Sequence, residues 1–200
     1  RVSAAMTALA LPWDAAFAMA EPAPDSDEGL MARFQGGERA AFDALFRRHA
    51  AALTSYLTRI TGSAAAAEDA VQLTFLSVVR SRDQFRAGSK VKPWLYAIAS
   101  NAARDRHRRT KREQPTADDP VDAGLDAVHG DAGLRRRLLD ALQKLPEAQR
   151  EAVVLHRLEG WSFAEIAEAV GANETAVKVR AFRGTQVLRE LLKDVWEFES

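Results

Sequence analysis

Apolar residues along this chain keep returning to one side of a helix. Between Glu38 and Thr61 the positions Phe42, Leu45, Phe46, Leu53, Tyr56, Leu57 and Ile60 form one stripe, with Arg47, Arg48 and Arg59 outside it. That pattern predicts a long amphipathic helix. Gly62 stops it, Ser63 caps the next, and Val71, Phe75, Leu76 and Val79 are expected to be the buried stripe of a helix running to about Arg82. A polar loop, SRDQFRAGSK, follows. Pro93 then sits where a first-turn proline is favoured, and its helix turns Trp94, Leu95 and Ile98 inward before its end becomes almost wholly basic.

The second half repeats the style with different punctuation. Leu134, Leu138, Leu139, Leu142 and Leu145 precede Pro146, and Val153, Val154, Leu155 and Leu158 precede Gly160, which predicts two more helices. Ser162-Phe163-Ala164-Glu165 is a capping box, in which hydroxyl and carboxylate each satisfy a free amide of the first turn. The short helix it opens, with Ile166, Ala167 and Val170, ends at Gly171. Asn173 caps a last helix whose buried face is expected to be Val177, Ala181, Leu188 and Leu191.

Two stretches lack any period. EPAPDSD, residues 21–27, reads as an acidic lead-in, and Lys111 to Gly130 is rich in Glu, Pro, Thr, Asp and Gly, the composition of a linker. The expected organisation is therefore all-α: an N-terminal extension (1–26), a first helical domain (27–112), a flexible linker (113–130), a second helical domain (131–193) and a short tail (194–200).

Composition narrows the function classes. The chain has no cysteine, which removes disulfides, thiolate metal sites and thiol nucleophiles and fits a cytoplasmic protein. No apolar run is long enough to span a membrane. The segment Ala8 to Ala20 is broken by Pro12 and Asp14 and lacks a basic leader, so a secretory signal is not expected. The formal net charge is zero, but the charges are segregated. Arg104, Arg106, Arg108, Arg109, Lys111 and Arg112 crowd one helix end, Arg135 to Arg137 form a second knot, and acidic residues gather between them at Asp118, Asp119, Asp122, Asp126 and Asp131. Local charge of this kind can contact phosphates even when the total does not favour it.

Three constellations carry candidate chemistry. Around Gly171, a short capped helix, a glycine turn and a basic second helix describe a helix-turn-helix, whose second helix enters the DNA major groove. Thr175, Lys178, Val179, Phe182 and Arg183 lie where side chains reach base edges or phosphates; a plain helical hairpin with solvated cations competes with this reading. The second constellation joins Phe85 and Arg86 in the loop to an aromatic pair, Trp94 and Tyr96, and then to Asn101, Arg104 and the basic helix end. Aromatics beside basic residues suit an unpaired strand, although Trp94 is better explained by core packing than by base contact, and the basic run better by phosphate contact than by solvation. The third is Ala67-Glu68-Asp69-Ala70-Val71-Gln72, where Glu68 and Gln72 share a helix face that is either a partner surface or a solvated stripe.

Together these residues resemble the sigma-70 family of transcription-initiation factors, in its small extracytoplasmic-function class. The first half, GERAAFDALFRRHAAALTSYLTRITGSAAAAEDAVQLTFL and FRAGSKVKPWLYAIASNAARDRHRR, is similar to the family's region 2. The second half, LPEAQREAVVLHRLEGWSFAEIAEAVGANETAVKVRAFRG, is similar to region 4. The resemblance implies that Glu68, Asp69, Gln72 and Phe75 dock on the clamp coiled coil of core RNA polymerase. It implies that Phe85, Arg86, Lys92, Trp94, Tyr96, Asn101, Arg104 and Arg108 recognise and open the minus-10 element. Thr175, Lys178, Val179, Phe182 and Arg183 would read the minus-35 element. Leu73 stands where the family usually has an acidic residue, and Glu174 places a negative charge near DNA. An anti-sigma factor is the further partner implied; no catalytic residue, cofactor or metal is.

Two other classes compete. A stand-alone helix-turn-helix regulator with a sensing or dimerisation domain would bind closed duplex without polymerase. An enzyme built on His107, Asp105 and Arg108 lacks a carboxylate pair at metal-ligand spacing.

Overall fold

The computed structural model describes residues 23–113 and 132–196, and among these the secondary structure is helical with no strand. The expected extension up to residue 22 and the expected linker beyond Glu113 lie outside the described residues.

The first group of helices is α1 (Asp27–Gln35), α2 (Arg39–Thr61), α3 (Ala64–Ser81) and α4 (Val91–Glu113), with a 3-10 turn at Arg82–Gln84. Caps set the boundaries: Ser26 and Ser63 accept from the amides of Gly29 and Ala66, and Gly62 ends α2 in the left-handed conformation at φ 76°. α2 packs on α3, α3 on α4, and α1 on α2. Their shared core holds Met31, Leu45, Leu53, Tyr56, Leu57, Phe75, Val78, Leu95 and Tyr96. The stripe expected on α3 is corrected here. Val71 and Phe75 are buried with Thr74 and Val78, whereas Leu76 and Val79 are exposed. α3 is apolar over more than one face, so spacing alone did not select which face its neighbours cover. Phe46 likewise sits 42% exposed at the rim, its ring 4.7 Å from Phe75.

The second group is α5 (Ala132–Gln143), α6 (Glu147–Val153) continuing as a π turn (Val154–Leu158), α7 (Phe163–Val170), α8 (Glu174–Leu191) and a short α9 (Lys193–Trp196) that runs from the end of the expected domain into the expected tail. The capping box forms as read: the Ser162 amide donates to Glu165 Oε2 at 2.8 Å and the Glu165 amide to Ser162 Oγ at 3.2 Å. Gly171 is left-handed at φ 63°, and Asn173 accepts from the Ala176 amide at 2.7 Å. α8 approaches α6 closely because position 184 is glycine; a Cβ there would lie 2.7 Å from Val153 Cγ2 and 3.2 Å from the Gln149 carbonyl oxygen. Leu142, Val154, Leu155, Ile166 and Val177 close the core of this half.

The halves also touch. The C-terminal carbonyls of α2, which have no partners within their own helix, accept from the second half. Gln143 Nε2 donates to Arg59 O at 3.0 Å and Arg150 Nη1 to Ile60 O at 2.6 Å. A cation at a helix C-terminus is favoured by the helix dipole, while burial holds the Arg150 guanidinium below its usual range.

Candidate nucleic-acid and polymerase surfaces

α8 presents its expected reading residues to solvent: Thr175, Lys178, Val179, Phe182 and Arg183 are all exposed, while Val177, Ala181 and Gly184 anchor the opposite face. The Lys178 ammonium is 2.6 Å from the Glu174 carboxylate and 5.8 Å from the centre of the Phe163 ring. Glu174 therefore offsets part of the positive charge at the start of the helix. A cleft of about 420 Å³ beside it is lined by residues including His156, Phe163, Lys178, Phe182 and Arg189.

On α3, Glu68, Asp69 and Gln72 are exposed, and so are Leu73, Leu76 and Val79, so one helix face mixes acid, amide and aliphatic groups. Phe75 is only 5% exposed and supports that face from the core. Asp69 pairs with Arg106 on α4 at 3.3 Å.

The third surface is the start of α4 and the loop before it. Arg86, Lys92 and Asn101 are exposed, and Arg108 pairs with Asp105 at 3.5 Å. Phe85 is buried against the edge of Trp94, centroids 5.1 Å apart, so this pair shapes the loop from beneath. Two residues that sequence reasoning missed hold the loop in place. Gln35 Nε2 donates to the Arg82 carbonyl at 2.8 Å and the Phe85 carbonyl at 3.0 Å, and Glu28 accepts from the Val91 amide at 3.2 Å. No local signal marks either residue, since their partners lie 47 to 63 positions away.

Tyr96 and Arg104 are not free. Tyr96 is 1% exposed, with its ring 4.7 Å from Trp161 and its hydroxyl donating to Glu159 Oε2 at 3.2 Å. Burial first, and then the Glu159 carboxylate, lift its phenol well above the usual range. Arg104 reaches Glu147 at 2.9 Å and both oxygens of Glu151 at 3.1 and 3.2 Å, with a further bond to Asn101 at 2.8 Å. No group of three or more His, Cys, Asp or Glu suited to a metal ion occurs among the described residues.

The family models for Sigma-70 region 2 and Sigma-70 region 4 match residues 45–113 and 135–188. The chain is 46% identical over 170 residues to RNA polymerase sigma factor CarQ of Myxococcus xanthus, covering 82% of this chain and 97% of that one. The chain belongs to the sigma-70 family.

Within that family it falls in the extracytoplasmic-function class. It is 38% identical over 169 residues to ECF RNA polymerase sigma factor SigM of Mycobacterium tuberculosis, covering 84% of this chain and 85% of that one. Its fold matches that of sigma factor RpoE from Bartonella quintana, solved in complex with the anti-sigma factor NepR. That match has a TM-score of 0.67 at 29% identity, over 76% of this chain and 96% of that one. α7 and α8 are the helix-turn-helix of region 4, and α2 to α4 carry region 2. The factor is a transcription-initiation factor and not an enzyme; the chemistry of RNA synthesis belongs to the polymerase it serves.

Proposed function

We propose that region 2 (27–112) and region 4 (131–193), joined by residues 113–130, divide promoter recognition between an opened strand and a closed duplex. Residues 1–26 are an extension and 194–200 a tail. Glu68, Asp69 and Gln72, with the exposed Leu73 and Leu76 and with Phe75 behind them, dock on the polymerase clamp. Arg86, Lys92, Tyr96, Asn101, Arg104 and Arg108 hold the opened minus-10 strand, over a floor made by Phe85 and Trp94. Thr175, Lys178, Val179, Phe182 and Arg183 read the minus-35 duplex.

The exposed face of α8 supports this reading most. A capped first helix, a left-handed glycine and a second helix with Lys178 and Arg183 at its solvent side form the geometry that enters a major groove. The exposed aliphatic groups of α3 support a protein partner rather than nucleic acid. The factor acts in the cytoplasm in response to a signal, and an anti-sigma factor restrains it, as NepR binds the Bartonella relative.

Run-off transcription on a library of randomised promoters, with core polymerase alone and with the factor added, tests this. Specific start sites should appear only when both are present. Tight binding of the factor alone to closed duplex, with no effect on core, would replace it with a stand-alone regulator.

A further inference from the structure

The face that region 4 turns toward region 2 has the chemistry of a strand of DNA. Glu147 and Glu151 are four apart on α6 and share a side, and both take Arg104, at 2.9 Å and at 3.1 and 3.2 Å. Paired carboxylates on a guanidinium reproduce the hydrogen bonds that phosphate oxygens would make. Glu159, in the turn after α6, takes Arg59 at 2.6 Å and the Tyr96 hydroxyl at 3.2 Å. Trp161 lies against Tyr96 with its ring 4.7 Å away, and the Lys92 ammonium stands 4.9 Å from its centre. An aromatic ring in contact with a tyrosine and an ammonium is in the setting of an unstacked base.

We propose that region 4 is an internal mimic of the opened promoter strand. In the free factor, Glu147, Glu151, Glu159 and Trp161 occupy the strand-reading face of region 2 and compete with DNA for it. The proposal rests on the assignment of Lys92, Tyr96 and Arg104 to the opened strand.

Two features separate this face from an ordinary domain core. Around the buried Tyr96–Trp161 ring contact it is held by charge pairs and single polar contacts, the style of an interface that opens. The Trp161 indole N–H and Arg150 Nε are buried without a hydrogen-bond partner among the described residues, so the closed form leaves polar groups unsatisfied that opening would hydrate. The α3 face with Gln72, Leu73 and Leu76 stays exposed in the closed form. Core polymerase therefore reaches region 2 before the clasp opens, and docking precedes strand capture.

The chain has no cysteine, so spin labels can be placed on Asp43→Cys and Asp140→Cys, at exposed positions of α2 and α5. Distances between them are measured in the full chain and in a Glu147→Gln, Glu151→Gln, Glu159→Gln variant whose helicity is checked by circular dichroism. Binding of a short fluorescein-labelled single-stranded DNA of random sequence is measured on both. The parent should give one narrow distance distribution. The variant should give a broad, longer one and bind the strand about tenfold more tightly. A broad distribution in the parent, or a folded variant that stays narrow, overturns the proposal. Opening without a gain in strand binding overturns the competition and leaves only a structural contact. Arg104→Gln added to the open variant should cancel the gain; if the gain survives, the strand binds elsewhere and the assignment of Arg104 is what fails.

Discussion

Phe182 on α8 is 65% exposed, whereas Tyr96 on α4 is 1% exposed, although both are aromatic groups assigned to promoter DNA. The face of region 4 proposed to read duplex is a helix whose side chains stand in solvent. The face of region 2 proposed to hold the strand is aromatic at its centre, and such a patch left bare is costly in water. Region 2 meets that cost by covering the patch with Trp161 and by giving Arg104 and Arg59 the carboxylates of Glu147, Glu151 and Glu159. On the proposed roles, reading a closed duplex asks for projecting side chains, while holding an unpaired base asks for an aromatic surface that is costly to leave in water.

The largest effect is expected where the exposed face is stripped. Lys178→Ala with Arg183→Ala removes two cations from α8, and each well-placed contact discriminates by about 1–3 kcal/mol. Run-off yield should fall roughly a hundredfold, and the strand-holding half should be unaffected when tested on a pre-opened template.

Next is the packing that presents α8. Gly184→Ala drives a methyl to 2.7 Å from Val153 Cγ2 and 3.2 Å from the Gln149 carbonyl, so α8 must lift from α6, at about 1–3 kcal/mol. Thermal unfolding followed by circular dichroism should show a lower transition for region 4 with region 2 preserved. An unchanged transition would mean that α8 can shift without loss.

A smaller change is expected at the strand-holding side. Gln35→Ala removes two hydrogen bonds to the Arg82 and Phe85 carbonyls, a loss of roughly 1 kcal/mol. Discrimination between promoters that differ at one minus-10 base should weaken about fivefold, with polymerase affinity unchanged.

Much of this architecture is legible in the sequence because it is local. Ser63, Ser162 and Asn173 cap helices where their spacing says they should, and Gly62 and Gly171 stop them by taking positive φ. The helix-turn-helix follows from residues within one short stretch. What local pattern misses depends on partners far along the chain. Nothing local marks Glu151 and Glu159, whose partners Arg104 on α4 and Arg59 on α2 lie far along the chain. Nothing local marks Gly184 either, because the close approach of Val153 and Gln149 that requires it comes from α6. On α3, Leu76 and Val79 fit a buried stripe as well as Val71 and Phe75 do, and only the placement of α2 and α4 decides which pair faces solvent.

The smallest effect is at the capping box. Hydrogen bonds from the Ser162 hydroxyl and amide hold the Glu165 carboxyl below its ordinary value of 4.5. A carboxylate depressed on folding stabilises fully above the unfolded value and loses that contribution as pH falls through the lower folded one. Ser162→Ala should cost about 1 kcal/mol near neutral pH. The difference from the parent should shrink below pH 4, as followed by urea unfolding at a series of pH values.

Permanganate footprinting of a promoter bound by the holoenzyme tests the division of labour most directly. With the parent factor, thymines of the minus-10 strand should become reactive while the minus-35 duplex is protected from nuclease. With Arg104→Gln the protection should remain and the reactivity should fall, and with Lys178→Ala plus Arg183→Ala the protection should go first. Undiminished strand opening in Arg104→Gln, or loss of the minus-35 footprint from that substitution alone, would contradict the assignment of the two faces.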